Sequence, residues 1–148
     1  MRSTEPALGL TLPVVCALAL LGVPRVLAHD LDLAGPAVNA VLVFAPIAVW
    51  VGYVWWRRVT HPFRALLAVG TAYGVATAIT HQILWTAAFD DPPRLGGNLE
   101  GRLAPGVEDA LVRVLSVGSS LLTGVLVGAV AGAIGWLLAR ATDGHRGG

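Results

Sequence analysis

The sequence predicts an all-α fold, an integral membrane bundle of four transmembrane helices with both termini inside. Three observations predict it. Hydrophobic residues make up 55% of the 148-residue chain and charged residues only 13%, about half the charged share of an ordinary soluble domain. The mean hydropathy is +0.71. Four apolar stretches, residues 7–28, 37–56, 63–89 and 111–139, reach the roughly 20 residues that cross a hydrocarbon core. None alternates apolar with polar residues over about ten positions as a barrel strand does, so helix is the assignment for each. Residues 1–148 are then a single transmembrane domain.

The first stretch also fits the pattern of a secretory signal. Arg2 precedes an apolar core over 8–23, and Val26 and Ala28 stand at the constrained positions before His29. Cleavage there leaves three helices and frees the amine of His29, which with its imidazole is a copper chelator. Pro13, Arg25 and the length of the apolar run favour retention of four helices, which pair as two hairpins.

The second and third stretches are joined by "WWRRVTHPFR", which holds Arg57, Arg58 and Arg64 and no acid, and the end of the chain carries Arg140 and Arg146 against Asp143. Both read as cytoplasmic. The other connections are acidic, with Asp30 and Asp32 in 29–36, and Asp90, Asp91, Glu100, Glu108 and Asp109 against Arg94 and Arg102 in 90–110. Both read as extracytoplasmic, in a multi-pass protein of a cell membrane of the bacterial inner type. Trp55, Trp56 and Trp136 fall at the inner ends of their segments and Trp85 near an outer end, as interfacial aromatics do. Arg113 predicts that the fourth stretch enters the bilayer near Leu115. In the outer loop Leu95, Leu99 and Leu103 share a helical spacing that predicts a short amphipathic helix on the membrane surface. The glycine-rich tail, 141–148, reads as disordered.

Two stripes of small residues stand out. Ser116, Ser120, Gly124, Gly128 and Gly132 recur every fourth residue on the fourth segment, and Gly70, Gly74 and Ala78 do so on the third, sharing a broad face with Thr77, His81 and Trp85. Such stripes admit another backbone at close range. They predict that segments three and four pack as a hairpin, and they also offer a face to a second copy or a partner membrane subunit.

The run "GVATAITHQILWTAAF" sets His81 and Gln82 side by side in an otherwise apolar segment, with His81 about 27 Å from Phe63 and so in the outer third of the bilayer. One reading is a register-fixing hydrogen bond from His81 to a serine, threonine or carbonyl of a neighbouring helix. The other is a ligand or proton path through His81, Gln82, Thr77 and Trp85, because intramembrane ionisable groups are functional hypotheses by default. His29, Asp30, Asp90 and Asp91 are metal-ligand types on the same side but lack a ligand spacing. No metal or cofactor is therefore expected. Cys16 is the only cysteine, which excludes an intrachain disulfide.

No nucleophile stands beside a base, and no phosphate loop or nucleotide fingerprint is present, so an enzyme is not expected. A net charge of +1 with its arginines at segment ends gives no nucleic-acid face. The expected role is a non-enzymatic accessory subunit or homo-oligomeric component in the lipid bilayer, packed through the Gly/Ser faces. The alternative is a small transporter or channel with a polar site around His81 and Gln82. Polar residues in the inner halves of the segments are few, chiefly Thr71, Tyr73 and Thr123, and that scarcity favours the first.

Overall fold

A computed structural model describes residues 9–31, 33–88 and 93–144. Five α-helices follow one another: α1 Leu12–Leu20, α2 Val23–Asp30, α3 Pro36–Trp56, α4 Pro62–Ala88 and α5 Pro105–Gly144, with a 3₁₀ turn at Gly97–Leu99 before α5. The described residues contain no strand. Each α-helix begins with proline at its first or second position, namely Pro13, Pro24, Pro36, Pro62 and Pro105. There the missing N–H costs nothing and the fixed φ suits the first turn. Four spans, Leu12–Asp30, Pro36–Trp56, Pro62–Thr86 and Pro105–Thr142, are long and apolar enough to cross a membrane.

The boundaries differ from the sequence expectation in three places. The first apolar stretch is two helices rather than one over 7–28. Proline at position 24 cannot donate to the carbonyl four residues back, and the chain breaks at Leu21 and Gly22. Gly22 is pressed on the ring of Tyr73 so closely that a Cβ there would stand 2.5 Å from it. Trp50 fixes the break from the other side, its Nε1 donating to the Leu18 carbonyl at 2.6 Å.

The fourth segment is longer than 111–139, and it overruns both the outer loop and the tail. Pro105 starts the helix and Glu108 lies in its first turn, where the helix dipole favours an acid. One turn on, Arg113 Nε donates to Asp109 Oδ2 at 3.0 Å. At the far end nothing between Trp136 and Asp143 breaks a helix, so residues 141–144 are helical and not a disordered tail. Residues 145–148 lie outside the described ones. The amphipathic helix expected around Leu95, Leu99 and Leu103 does not form. Gly97 and Gly101 take positive φ (64° and 65°), which ends any helical run between them. Instead the Leu95 N–H donates to Glu108 Oε1 at 2.8 Å, tying the loop to the start of α5.

α4 occupies the middle of the molecule and packs against all four other α-helices. Ala65, Leu66 and Val69 on it are fully buried, as is Ala131 on α5. The contact between α4 and α5 is the tightest. A Cβ on Gly70 would collide with Gly128 Cα, and one on Gly124 would stand 2.5 Å from Gly74 Cα. Further along, a Cβ on Gly132 would lie 3.0 Å from Phe63. The small-residue face of α5 is thus filled by α4 of the same chain, not left open to a second copy.

Substitutions on α5 separate contact from helix propensity. Gly124→Ala forces two backbones apart and is expected to lower stability by about 1–3 kcal/mol, the usual cost of overpacking. Gly118→Ala, with open space around it, is expected to be neutral or to gain up to about 1 kcal/mol. Unfolding of the purified variants in mild detergent checks both.

Candidate functional site

At the end of the bundle where α2 meets α4, a carboxylate is buried among polar groups. The Asp30 side chain is 6% exposed, and His81 Nδ1 lies 2.6 Å from its Oδ2. A carboxylate only accepts, so the imidazole donates from Nδ1, which leaves Nε2 with its lone pair whenever the ring is neutral. His29 Nδ1 lies 3.4 Å from the other oxygen, Oδ1, and is itself largely exposed. The break at Gly22 creates this arrangement. It redirects α2 so that Val26 and Asp30, one turn apart, face inward.

Three helices contribute their polar stripes to one cavity of about 260 Å³ beside this pair. α2 supplies Arg25, His29 and Asp30, and α4 supplies Tyr73, Thr77 and His81 at successive turns. From α5 come Ser119, Ser120 and Thr123. Several of these groups have spare hydrogen-bonding capacity. Arg25 Nε and Thr77 Oγ1 are buried with no partner among the described residues, and Thr77 as a whole is only 8% exposed. Ser120 gives its proton to the Ser116 carbonyl one turn back, at 2.9 Å. Beyond Tyr73 and Thr123 the lining turns apolar, in a smaller cavity of about 140 Å³ that shares Arg25 and is bounded by Pro46, Ile47 and Trp50. Trp50 and Tyr73 meet edge to face, their centroids 5.7 Å apart, and floor the polar site.

Of the residues singled out in the sequence, His81, Thr77, His29 and Asp30 come together here, and so does Ser120, which lies both in the cavity wall and on the seam between α4 and α5. Gln82 is half-buried outside the cavity, and its Nε2 has no partner among the described residues. Trp85 is buried, with the Arg113 guanidinium 4.7 Å above its ring. Gly70, Gly74, Gly124, Gly128 and Gly132 lie in the seam. Ala78 is buried and Ser116 half-buried. Asp90 and Asp91 lie outside the described residues. The partner expected for His81 was a hydroxyl or carbonyl; it is the Asp30 carboxylate, because α2 reaches back over α4. No three His, Cys, Asp or Glu side chains among the described residues converge as a metal-ligand set.

The sequence reading does not single out Arg25, Tyr73, Ser119 or Thr123 as site residues. A signal for them existed in the four-residue spacings 25/29, 73/77/81 and 119/123, which mark polar stripes on apolar helices. Comparison with known protein families, with curated proteins and with solved structures finds no match.

The pair makes a testable energetic claim. His81→Phe leaves a buried carboxylate without its main donor and is expected to cost about 1–3 kcal/mol. In the double variant with Asp30→Asn that penalty should shrink, because the charge in need of a partner has gone. A double-mutant cycle on unfolding in detergent measures the difference.

Proposed function

We propose that the chain is a non-enzymatic, multi-pass membrane protein that binds a small polar solute bearing an anionic group, in a site opening toward the outer face. The observation that carries this reading is the cavity around Asp30 and His81. A carboxylate, a guanidinium and an imidazole within an apolar bundle are expensive to keep unless they serve a site, and Arg25 and Thr77 hold donors there with no partner among the described residues. The guanidinium suits an oxyanion, and the surrounding hydroxyls can donate to the rest of the solute. A volume near 260 Å³ lies below the usual range for drug-sized ligands, which points to a small one.

Membrane insertion is supported by the outer surface of the bundle. Leu12, Phe44, Ile83, Leu122 and Val130 are each at least 60% exposed, and so large an apolar exterior is stable in lipid and not in water. The orientation rests on the arginines: both termini inside, with the Asp30 end outside. Binding is preferred to catalysis because no serine of the cavity is hydrogen-bonded to His81 among the described residues, and Ser120 is committed to its own helix. Binding is also preferred to an open channel, since the polar lining stops at the Trp50 and Tyr73 floor. Assembly with a second copy or a partner subunit would use the exposed faces of α3 and α5.

Cysteine accessibility tests orientation and site together. In a Cys16→Ala background, Ser119→Cys in sealed, oriented vesicles is expected to react with an impermeant methanethiosulfonate added outside. The anionic sulfonatoethyl reagent should outpace the cationic trimethylammonium reagent, and Arg25→Gln should erase that preference. Labelling only from the inside, or no preference for the anion, would contradict the proposal.

A further inference from the structure

The opposite end of the bundle carries a second cavity, larger and of different character, whose chemistry is independent of the polar site. It is about 620 Å³ and lies between the end of α3, the turn into α4 and the last turns of α5. Trp55, Trp56 and Trp136 line it together with Arg58, Arg140 and Thr142. All three tryptophans remain partly open to the surroundings, 50%, 71% and 39% exposed respectively. The notch exists because α3 stops at Trp56 while α5 runs on to Gly144, so the last turns of α5 have no helix of the first hairpin beside them.

Its two arginines are held in unusual ways. Arg58 has φ +48°, and it is the one non-glycine residue with positive φ among those described. It sits at the helix C-terminal position where glycine is usual. The Val59 N–H donates to the Val54 carbonyl and the Arg58 N–H to the Trp55 carbonyl, both at 3.1 Å, the bond pair of a Schellman turn. A side chain at this position costs on the order of 1 kcal/mol over glycine, and such left-handed residues cluster where they serve a ligand. Arg140 is clamped by aromatic stacking, its guanidinium carbon 3.9 Å from the Trp136 ring centroid. A guanidinium held by a ring face keeps its N–H donors for an oxyanion.

Neither arginine is ion-paired within the described residues, where the pairs are His29 and His81 with Asp30, and Arg113 with Asp109. The sequence has no acid between residues 33 and 88 or between 110 and 142. This end is predominantly basic, with Arg57, Arg58, Arg64 and Arg140 against Asp143. Two guanidinium groups with no ion-pair partner among the described side chains, at the mouth of a notch walled by tryptophan with the exposed apolar surface of Leu137 and Leu138 below, match an amphiphile with an anionic head. Basic pockets between helices at the cytoplasmic surface are suited to acidic lipid headgroups.

We infer that this cavity is a binding site for an acidic phospholipid of the inner leaflet, whose phosphate is held between Arg58 and Arg140 and whose acyl chains pass onto the exposed apolar faces of α3 and α5. The inference rests on the bilayer reading proposed above, and the lipid would anchor the register of the bundle at that end.

Native mass spectrometry of the full chain in mild detergent, titrated with phosphatidylglycerol and with phosphatidylcholine of the same acyl chains, tests it. The wild type should retain phosphatidylglycerol preferentially. Arg58→Gly and Arg140→Gln should each weaken that retention by about tenfold, as loss of a charge-assisted hydrogen bond does. Arg58→Gly is the sharper variant, because glycine is the residue the turn prefers, so its melting temperature should hold or rise while lipid is lost. Equal retention of the two lipids by the wild type, or undiminished phosphatidylglycerol binding in both variants, would overturn the site while leaving the bilayer reading intact. Failure to retain either lipid, together with failure to float with vesicles, would remove both.

Discussion

The close approach of α4 and α5 is the constraint on which the rest of the molecule depends. Two backbones come within contact distance at Gly70 with Gly128 and at Gly74 with Gly124, and no other residue type fits there. In the bilayer proposed above, lipid would give helices no hydrophobic reason to associate, so dispersion contacts and small residues would have to do it. The seam fixes the relative rotation of the two longest helices. Once it is set, Tyr73, Thr77 and His81 on α4 and Ser119, Ser120 and Thr123 on α5 open toward one cavity. The same rotation leaves a notch at the other end, between the last turns of α5 and the end of α3.

Against this hairpin the first apolar segment does something a straight helix could not. Its break at Gly22 seats backbone on the Tyr73 ring, and Trp50 donates to the Leu18 carbonyl in the last turn of α1. α2 can then leave at a new angle and deliver Arg25 and Asp30 to α4. Burying a carboxylate is costly unless donors reach it, and His81 and His29 together reach both of its oxygens. Local irregularity in the chain and polar groups in the apolar bundle are therefore two aspects of one arrangement.

Periodicity and composition made the helices and the glycine faces legible in the sequence. Runs of apolar residues show the four spans long enough to cross a membrane, and small residues every fourth position show which faces approach closely. What they could not show is how a helix divides. Pro24 after Gly22 is visible in the sequence, but a break there is decided by what Tyr73 and Trp50 offer across the bundle. For the same reason His81 stood out as a histidine in an apolar run, while its partner 51 residues earlier did not. Asp30 had the look of a loop acid, and only the tertiary return of α2 makes it a buried one. Arg58 was legible as a topological charge, but its left-handed backbone was not.

The most direct measurement is ¹⁵N NMR of histidine-labelled protein in lipid nanodiscs, with the His81 signals assigned by their loss in His81→Gln. The account predicts that His81 carries its proton on Nδ1, that this proton resonates far downfield, and that Asp30→Asn moves it back upfield. A His81 ring in the Nε2-protonated tautomer, indifferent to Asp30→Asn, would contradict the buried pair and with it the polar site.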